Sequence, residues 1–367
     1  MKFSVERDNL LHALGHANRI VAKSDAIPIM ATALFEATGD RISIAATNTE
    51  IVARTGCRGD IAVEGRAAIR VGLLADILRK LPAGTALRFE RDETTGQMAM
   101  LYRRSRATLP TLSPEAFAVF EIGADAVVME VAAPDLARLL SVPAWVAKAD
   151  HAYSFACGIH LHEAEGSIIG VAADGAVLSR VSASREGACV LPPVTVPLRS
   201  CAEIVKLAQA VGGGTVTLRA TDRALSVEAD GTVLTTKLIE CQFPDYRRII
   251  PDDPQPCAAV AYGDLSAALD RVRLLADDNY QTVLFEAANG VLTIAARSST
   301  GGEISEQIEV EGGDGLRFGI KARFAVDALN AVDADLIHLA GGHLGAPVVM
   351  RPAAGGSALA MLMPLRV

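Results

Sequence analysis

The sequence predicts an α+β chain of three similar domains in tandem, each made of two strand-helix-three-strand halves. Three observations predict this. One short strand pattern recurs at intervals of a third of the chain; a strand running into an amphipathic helix flanks every copy; and alternating segments with Gly-rich turns follow each helix.

The recurring pattern is "RISIAATN" (Arg41 to Asn48), "SIIGVAAD" (Ser167 to Asp174) and "VLTIAARS" (Val291 to Ser298). Its central residues Ile44, Val171 and Ile294 lie 127 and 123 residues apart, and a fixed period of this kind is the mark of a repeated structural unit. Upstream of each copy stand "MKFSVERDNLLHAL", "VVMEVAAPDLARLL" and "AAVAYGDLSAALDRV". Asp8, Asp135 and Asp264 precede leucines at helical spacing, which predicts amphipathic helices with acidic N-caps. Downstream come "AIRVGLLADILRKL", "VTVPLRSCAEIVKL" and "LRFGIKARFAVDAL". In the first of these, Leu73, Leu74, Ile77, Leu78 and Leu81 give one apolar helical face. Stretches such as "GGTVTLRATDRALSVEADGTVLTTKLIE" alternate with period two, as antiparallel strands do. Pro, Gly and Asp cluster at Gly123 to Ala126 and Asp252 to Pro256, placing boundaries that give domains 1–124, 125–252 and 253–367.

Composition agrees with several cores. At 367 residues, half of them apolar and 21% charged, the chain is too long for one ordinary domain. Aromatics make up only 4%, so Val, Ile, Leu and Ala must fill the layers. No apolar run approaches the roughly 18 residues of a membrane span, and the charged opening "MKFSVERDNLL" lacks the apolar stretch of a secretory signal. A cytoplasmic protein is expected, in which Cys57, Cys157, Cys189, Cys201, Cys241 and Cys257 are reduced and mostly buried thiols.

The net charge of -8 argues against nucleic acid, yet local cation placement decides phosphate binding. Every predicted helix supplies cations: Arg19 and Lys23, Arg79 and Lys80, Arg138 and Lys148, Arg199 and Lys206, Arg271 and Arg273, Lys321 and Arg323. Such residues also answer a helix macrodipole. Their sixfold recurrence is what favours a shared phosphate-reading surface, salt-dependent and indifferent to sequence.

Catalytic patterns are missing. "VGGGT" (Val211 to Thr215) follows a helix and so reads as a helix stop, not a nucleotide loop. His160 and His162 share one side of a strand without a third metal ligand, and are expected to be exposed. Asp252-Asp253 and Asp277-Asp278 read as solvated turns. With no G-x-S-x-G elbow and no H-E-x-x-H helix, neither an enzyme nor a cofactor or metal is expected.

The remaining unusual stretch is "FPDYRRIIP", Phe243 to Pro251, at the second boundary. Together with "MKFSVERDNLLHAL", "IPIM" (Ile27 to Met30), "AADG" (Ala172 to Gly175) and the terminal "MPLRV", it makes the whole chain resemble the bacterial DNA polymerase III beta subunit family, the sliding clamps. The resemblance implies the DNA clamp fold and a head-to-tail homodimeric ring around duplex DNA. Partners would be the polymerase III alpha subunit, the clamp loader, translesion polymerases and repair proteins bearing short linear motifs. Carried over residue by residue, the DNA-facing candidates are Lys23, Arg79, Arg138, Lys148, Tyr153, Arg199 and Lys206. A partner-peptide pocket would comprise Asp174, Gly175, Ala176, Val177, Leu178, Pro244, Arg248, Ile249, Met361, Met363, Pro364, Leu365 and Arg366. At the ring joint, Ala107 and Leu109 would face Leu274 and Leu275, and Arg103 and Arg104 would meet Glu303 and Glu306.

The chain departs from the family pattern at several of these places. Ser24 and Gly72 stand where arginines are frequent, Ser154 where a second aromatic follows Tyr153, Ala176 and Val177 where His and Arg are common, and Ala107 where an aromatic is frequent. These departures suggest a divergent or second clamp, with a monomeric clamp-like interaction protein or a translesion paralogue as the alternative.

Overall fold

The computed structural model describes residues 1–21, 27–92, 94–184, 190–276, 282–298, 301–342 and 345–365. In the first third, β1 (Lys2–Glu6) enters α1 (Arg7–Ile20), followed by β2 (Thr32–Thr38), β3 (Arg41–Thr47), β4 (Ile51–Arg58) and a short β5 (Asp60–Val63). Then β6 (Gly65–Arg70) enters α2 (Val71–Lys80), followed by β7 (Ala86–Arg91), β8 (Met98–Tyr102), β9 (Ser105–Leu109) and β10 (Thr111–Leu112). The middle third repeats this as β11 (Val127–Ala132), α3 (Ala133–Ser141), β12 (Gly158–Ala164), β13 (Ser167–Ala173), β14 (Val177–Ser184), then β15 (Val194–Pro197), α4 (Leu198–Val211), β16 (Thr215–Ala220), β17 (Ala224–Ala229) and β18 (Thr232–Lys237). The last third follows with β19 (Cys257–Ala261), α5 (Tyr262–Val272), β20 (Thr282–Ala288), β21 (Val291–Arg297), β22 (Glu303–Glu309) and β23 (Glu311–Gly312). It closes with β24 (Arg317–Lys321), α6 (Ala322–Val332), β25 (Leu336–Gly341), β26 (Val348–Pro352) and β27 (Ala358–Leu362).

The expected strand-helix-three-strand halves are therefore present in each third. The marker pattern forms the middle strand of its trio every time, as β3, β13 and β21. Ile44, Val171 and Ile294 are at most 1% exposed, which explains why a branched residue recurs there. Helix starts differ from expectation. α1 and α5 begin before their aspartates, after Glu6 and Ala261, and neither has a side-chain cap. Asp8, Asp135 and Asp264 lie in the first turn, where a carboxylate still answers the positive helix end. Asp8 also accepts a hydrogen bond from the Gly84 backbone N–H at 2.7 Å, and this contact, with Arg7 beside it, holds its carboxyl below the usual range.

The chain folds as two compact units that divide the middle third: Met1–Pro134 with Lys206–Leu238, and Asp135–Val205 with Ile239–Val367. The first unit contains a five-stranded sheet, β5-β1-β7-β8-β9, and a nine-stranded sheet, β10-β6-β2-β3-β4-β18-β17-β16-β11. Its larger sheet is continuous because β4 pairs antiparallel with β18, Ala53 opposite Leu234. Leu10, Leu14 and Ile20 of α1 are buried against this framework.

The second unit contains a nine-stranded sheet, β15-β12-β13-β14-β27-β26-β25-β19-β23, and a four-stranded sheet, β22-β21-β20-β24. Here β14 pairs with β27, which puts Leu178 opposite Met361. α3 lies so close to β13 that a Cβ on Gly170 would stand 2.1 Å from the Leu139 carbonyl oxygen, so only glycine fits there. At the end of α4, Gly212 adopts φ +68° and stops the helix as the sequence indicated. The cysteines differ from expectation: of those described only Cys201 is buried, while Cys57, Cys157, Cys241 and Cys257 are half-exposed, all without disulfides.

Candidate functional site

The stretch "FPDYRRIIP" is held by aromatic packing within the second unit. Pro244 accepts a hydrogen bond at its carbonyl from the Tyr246 N–H at 2.8 Å, and Tyr246–Ile249 makes one 3₁₀ turn. That turn drives Tyr246 inward, to 5% exposed, among Ile169, Val171, Leu178, Val349 and Met361. Arg247 and Arg248 are left in solvent and share Asp245, at 3.4 and 2.9 Å. Phe243 stacks flat on His160, with ring centres 4.5 Å apart and 8° between planes, and meets Phe155 edge-on at 5.8 Å.

The two histidines are thus not exposed, in contrast to the sequence expectation. His162 places Nδ1 3.2 Å from the Glu163 carbonyl oxygen and Nε2 2.9 Å from the Tyr246 hydroxyl. A carbonyl only accepts, so Nδ1 carries the proton and Nε2 accepts from Tyr246. Burial depresses both histidines, His160 to about 4, with the neighbouring His162 adding to the effect there. They are neutral packing partners of the aromatic segment, and among the described residues no cluster suits a metal ion.

On the other side of Tyr246 opens a cavity of about 500 Å³. Gly175, Ala176, Val177, Leu178, Pro244, Ile249, Met361 and Met363 line it, as do Phe155, Ala173, Asp245, Tyr246 and Pro347. Leu178, Val177 and Met361 are buried and form its base, whereas Ile249 and Met363 stand half-exposed at the rim. Apolar residues contiguous with an apolar cavity, unlike ones scattered singly over a surface, mark a site where a partner docks. Met adds adaptable, polarisable surface. Arg248 and Pro364 do not line the cavity, and Leu365 is tied through its N–H to the Gly319 carbonyl at 2.7 Å.

Asp174 lies under the cavity's edge and shapes it. Its side chain is only 4% exposed. Oδ1 accepts from the Ala176 and Val177 N–H groups at 3.0 and 2.9 Å, and Oδ2 takes Lys148 Nζ at 2.6 Å. Gly175, at φ +91°, makes the turn between them. Burial would raise this carboxyl, but Lys148 and the two backbone donors outweigh it and hold it below the usual range. Sequence reasoning placed Lys148 and Asp174 in different sites, and the structure joins them.

The other basic candidates are distributed over both units. Arg138, Lys148, Tyr153 and Arg199 belong to the second, Arg79 and Lys206 to the first. Arg79 pairs with Asp76 at 2.7 Å, and Arg138 donates to Ser357 Oγ at 3.0 Å. Arg19, Arg79, Lys80, Arg138 and Arg271 occupy last turns, where the macrodipole explains them. Arg199, Lys321 and Arg323 do not: they stand at the starts of α4 and α6, where the dipole opposes a cation. Tyr153, 59% exposed, stacks on Phe155 at 5.5 Å and 12°. Phe155, one residue beyond Ser154, thus provides the second aromatic whose absence the sequence suggested.

For the ring-joint candidates, β9 and β22 are each an edge strand of its own sheet. Leu274 is 82% exposed. Leu109 is buried at 2% within its own sheet. Glu306 is held by Arg271 at 2.8 and 2.9 Å, and Glu303 by Arg297 at 3.0 Å. Lys23 with Ser24, Asp277 with Asp278, Cys189 and Arg366 lie outside the described residues.

The DNA polymerase III beta subunit N-terminal, central and C-terminal domains match residues 1–121, 130–245 and 247–366, in that order. The chain belongs to the DNA polymerase III beta subunit family. The beta sliding clamp of Caulobacter vibrioides is 28% identical over 375 residues, covering 100% of both chains, and that of Pseudomonas aeruginosa is 23% identical over the same coverage. Among solved structures, Caulobacter crescentus pol III beta superposes with a TM-score of 0.93 at 28% identity. The Pseudomonas aeruginosa DNA polymerase III subunit beta gives 0.94 at 22%, each covering 100% of both chains. The tandem clamp fold read from the sequence is therefore that of this family. Among the described residues no helix is long and apolar enough to cross a membrane.

Proposed function

We propose that this beta subunit acts as a non-catalytic processivity factor: two copies close head-to-tail around duplex DNA, and a polymerase is tethered through a peptide seated in the cavity beside Tyr246. The observation that carries the reading is the match of all three family domains, in order, over the whole chain. Domains divided near Ala124 and Asp252 belong to the same proposal. Closure would bring edge strand β9 of one protomer to β22 of its partner, since unpaired edges are ready templates for strand addition. Ala107, the exposed Leu274 and the part-buried Leu275 would form the apolar part of that joint, with Arg103 and Arg104 near the acidic β22.

DNA contact would come from Arg79, Arg138, Lys148, Tyr153, Arg199 and Lys206, and from Lys23. Several of these cations already have protein partners, which favours weak, exchangeable phosphate contacts over tight ones. Such contacts suit sliding, because the hold on DNA is topological. The cavity's apolar lining and methionines would accept short linear motifs of the alpha subunit, the loader, translesion polymerases and repair proteins. Ala176 at the rim and the buried Val177 at the base make the cavity less polar than the usual family pair would.

Loading the protein on nicked circular DNA and then linearising it tests the mechanism. Retention on the circle with rapid loss from the linear form is expected. Equal retention on both would rule out encirclement.

A further inference from the structure

We infer that Lys148 is a positioning residue of the peptide cavity and that duplex DNA, by competing for it, lowers peptide affinity. The inference rests on the proposed cavity and DNA path, and names a coupling between them. The loop from Lys148 to Ala156 is closed by the Lys148 N–H donating to the Ala156 carbonyl at 3.0 Å. It carries two DNA-facing candidates, Lys148 and Tyr153, and one cavity residue, Phe155. Both candidates are physically tied to the cavity. Tyr153 stacks on Phe155, and Lys148 Nζ sits 2.6 Å from Asp174 Oδ2.

The second tie is the stronger lever. Asp174 is almost wholly buried, while the Lys148 side chain keeps half its surface in water. A phosphate can therefore reach the ammonium, but water cannot easily replace it on the carboxylate. Asp174 Oδ1 holds the Ala176 and Val177 N–H groups that set the cavity's edge. Withdrawing Lys148 leaves a buried carboxylate with one uncompensated oxygen, a costly state. Asp174 would then turn toward solvent, and the edge built by Ala176 and Val177 would loosen. Linkage makes the effect reciprocal: bound peptide, favouring the ordered edge, weakens phosphate contact at Lys148 by the same factor.

The test measures anisotropy of a fluorescein-labelled decapeptide taken from the host's replicative polymerase, with and without a saturating 30-base-pair duplex at low salt. The Lys148→Gln, Lys148→Arg and Met363→Ala variants are compared with the parent. For the parent, the duplex is expected to weaken the peptide about fivefold, at the low end of typical site-to-site couplings. Lys148→Gln should bind the peptide about fivefold more weakly without DNA and show no further response to it, and Lys148→Arg should restore both. A thermal transition matching the parent's separates this from misfolding. Unchanged affinity in Lys148→Gln, with binding lost in Met363→Ala, overturns the inference while the cavity stands. A parent that ignores the duplex also overturns it. Unchanged affinity in Met363→Ala as well removes the cavity from peptide binding, and the inference with it.

Discussion

Replacing Tyr246 separates the two things this residue does. Its ring fills the core beside Leu178, Val171 and Met361 and walls the cavity, whereas its hydroxyl donates to His162 Nε2 at 2.9 Å. Tyr246→Phe keeps the ring and leaves the part-buried His162 Nε2 without this donor, which costs about 1 to 2 kcal/mol. Tyr246→Ala also removes a buried aromatic ring, and deletions of that size cost roughly 3 to 5 kcal/mol. The chain has a single tryptophan, Trp145, packed against Phe324 in the second unit at 6.3 Å. Its fluorescence therefore reports unfolding of the unit that contains Tyr246. Urea titrations followed at Trp145 should show a small midpoint shift for Tyr246→Phe and one about three times larger for Tyr246→Ala at similar slope. Peptide binding should survive the Phe variant and fall more than tenfold in the Ala variant. Equal midpoint losses for the two variants would refute the division of roles, because the ring would then contribute nothing beyond its hydroxyl.

Three further outcomes follow from the geometry. His160 is held neutral by burial, its value lowered from 6.5 to about 4, so stability should be full above about pH 6.5 and fall by on the order of 2 to 3 kcal/mol as pH drops toward 4. His160→Asn should flatten that slope in urea titrations from pH 7.5 to 4.5; an unaltered slope would remove His160 as its source. Gly170→Ala puts a methyl group 2.1 Å from the Leu139 carbonyl oxygen and should cost about 1 to 3 kcal/mol, read at Trp145; an unshifted midpoint would mean that α3 moves freely off β13. Leu274→Asp should shift the particle in size-exclusion chromatography with light scattering toward the 38.4 kDa chain mass, and an unchanged dimer would place the joint elsewhere.

The repeat, the helices and the strand trios were legible because each depends on local periodicity. Ile44, Val171 and Ile294 sit in the same place in the same hairpin three times, and burial in each demands the same kind of side chain. The N-caps of α1 and α5 lie two and three residues before the aspartates the sequence points to, because each strand passes directly into its helix and neither Glu6 nor Ala261 makes a side-chain cap that marks the border. His160 and His162 were read as exposed because alternation in a strand says which residues share a face, not what covers that face. Phe243 and Tyr246 cover it, from more than eighty residues away in sequence.

The cavity shows why resemblance and geometry select overlapping but unequal residue sets. Its base is made where β14, from the middle third, pairs with β27, from the last, so that Leu178 and Met361 stand opposite each other. A backbone ladder fixes that juxtaposition, and the Met363 N–H extends it to the Ala176 carbonyl at 2.8 Å. The base is therefore set by strand register and tolerates sequence drift. Its edge is not, because a single carboxylate, Asp174, organises the turn through Ala176 and Val177. A substitution at the exposed Ala176 changes what the rim offers a peptide without touching the ladder, which starts at Val177. Substitutions at Lys148, outside the lining altogether, change whether the rim is ordered. Partner preference in this family member is thus expected to track Lys148 and Ala176 more closely than the buried residues beneath them. Exchanging the exposed Ala176 for His tests this: peptide selectivity should change while the Trp145 unfolding midpoint stays in place, and a midpoint shift with unchanged selectivity would show that the rim belongs to the fold's support.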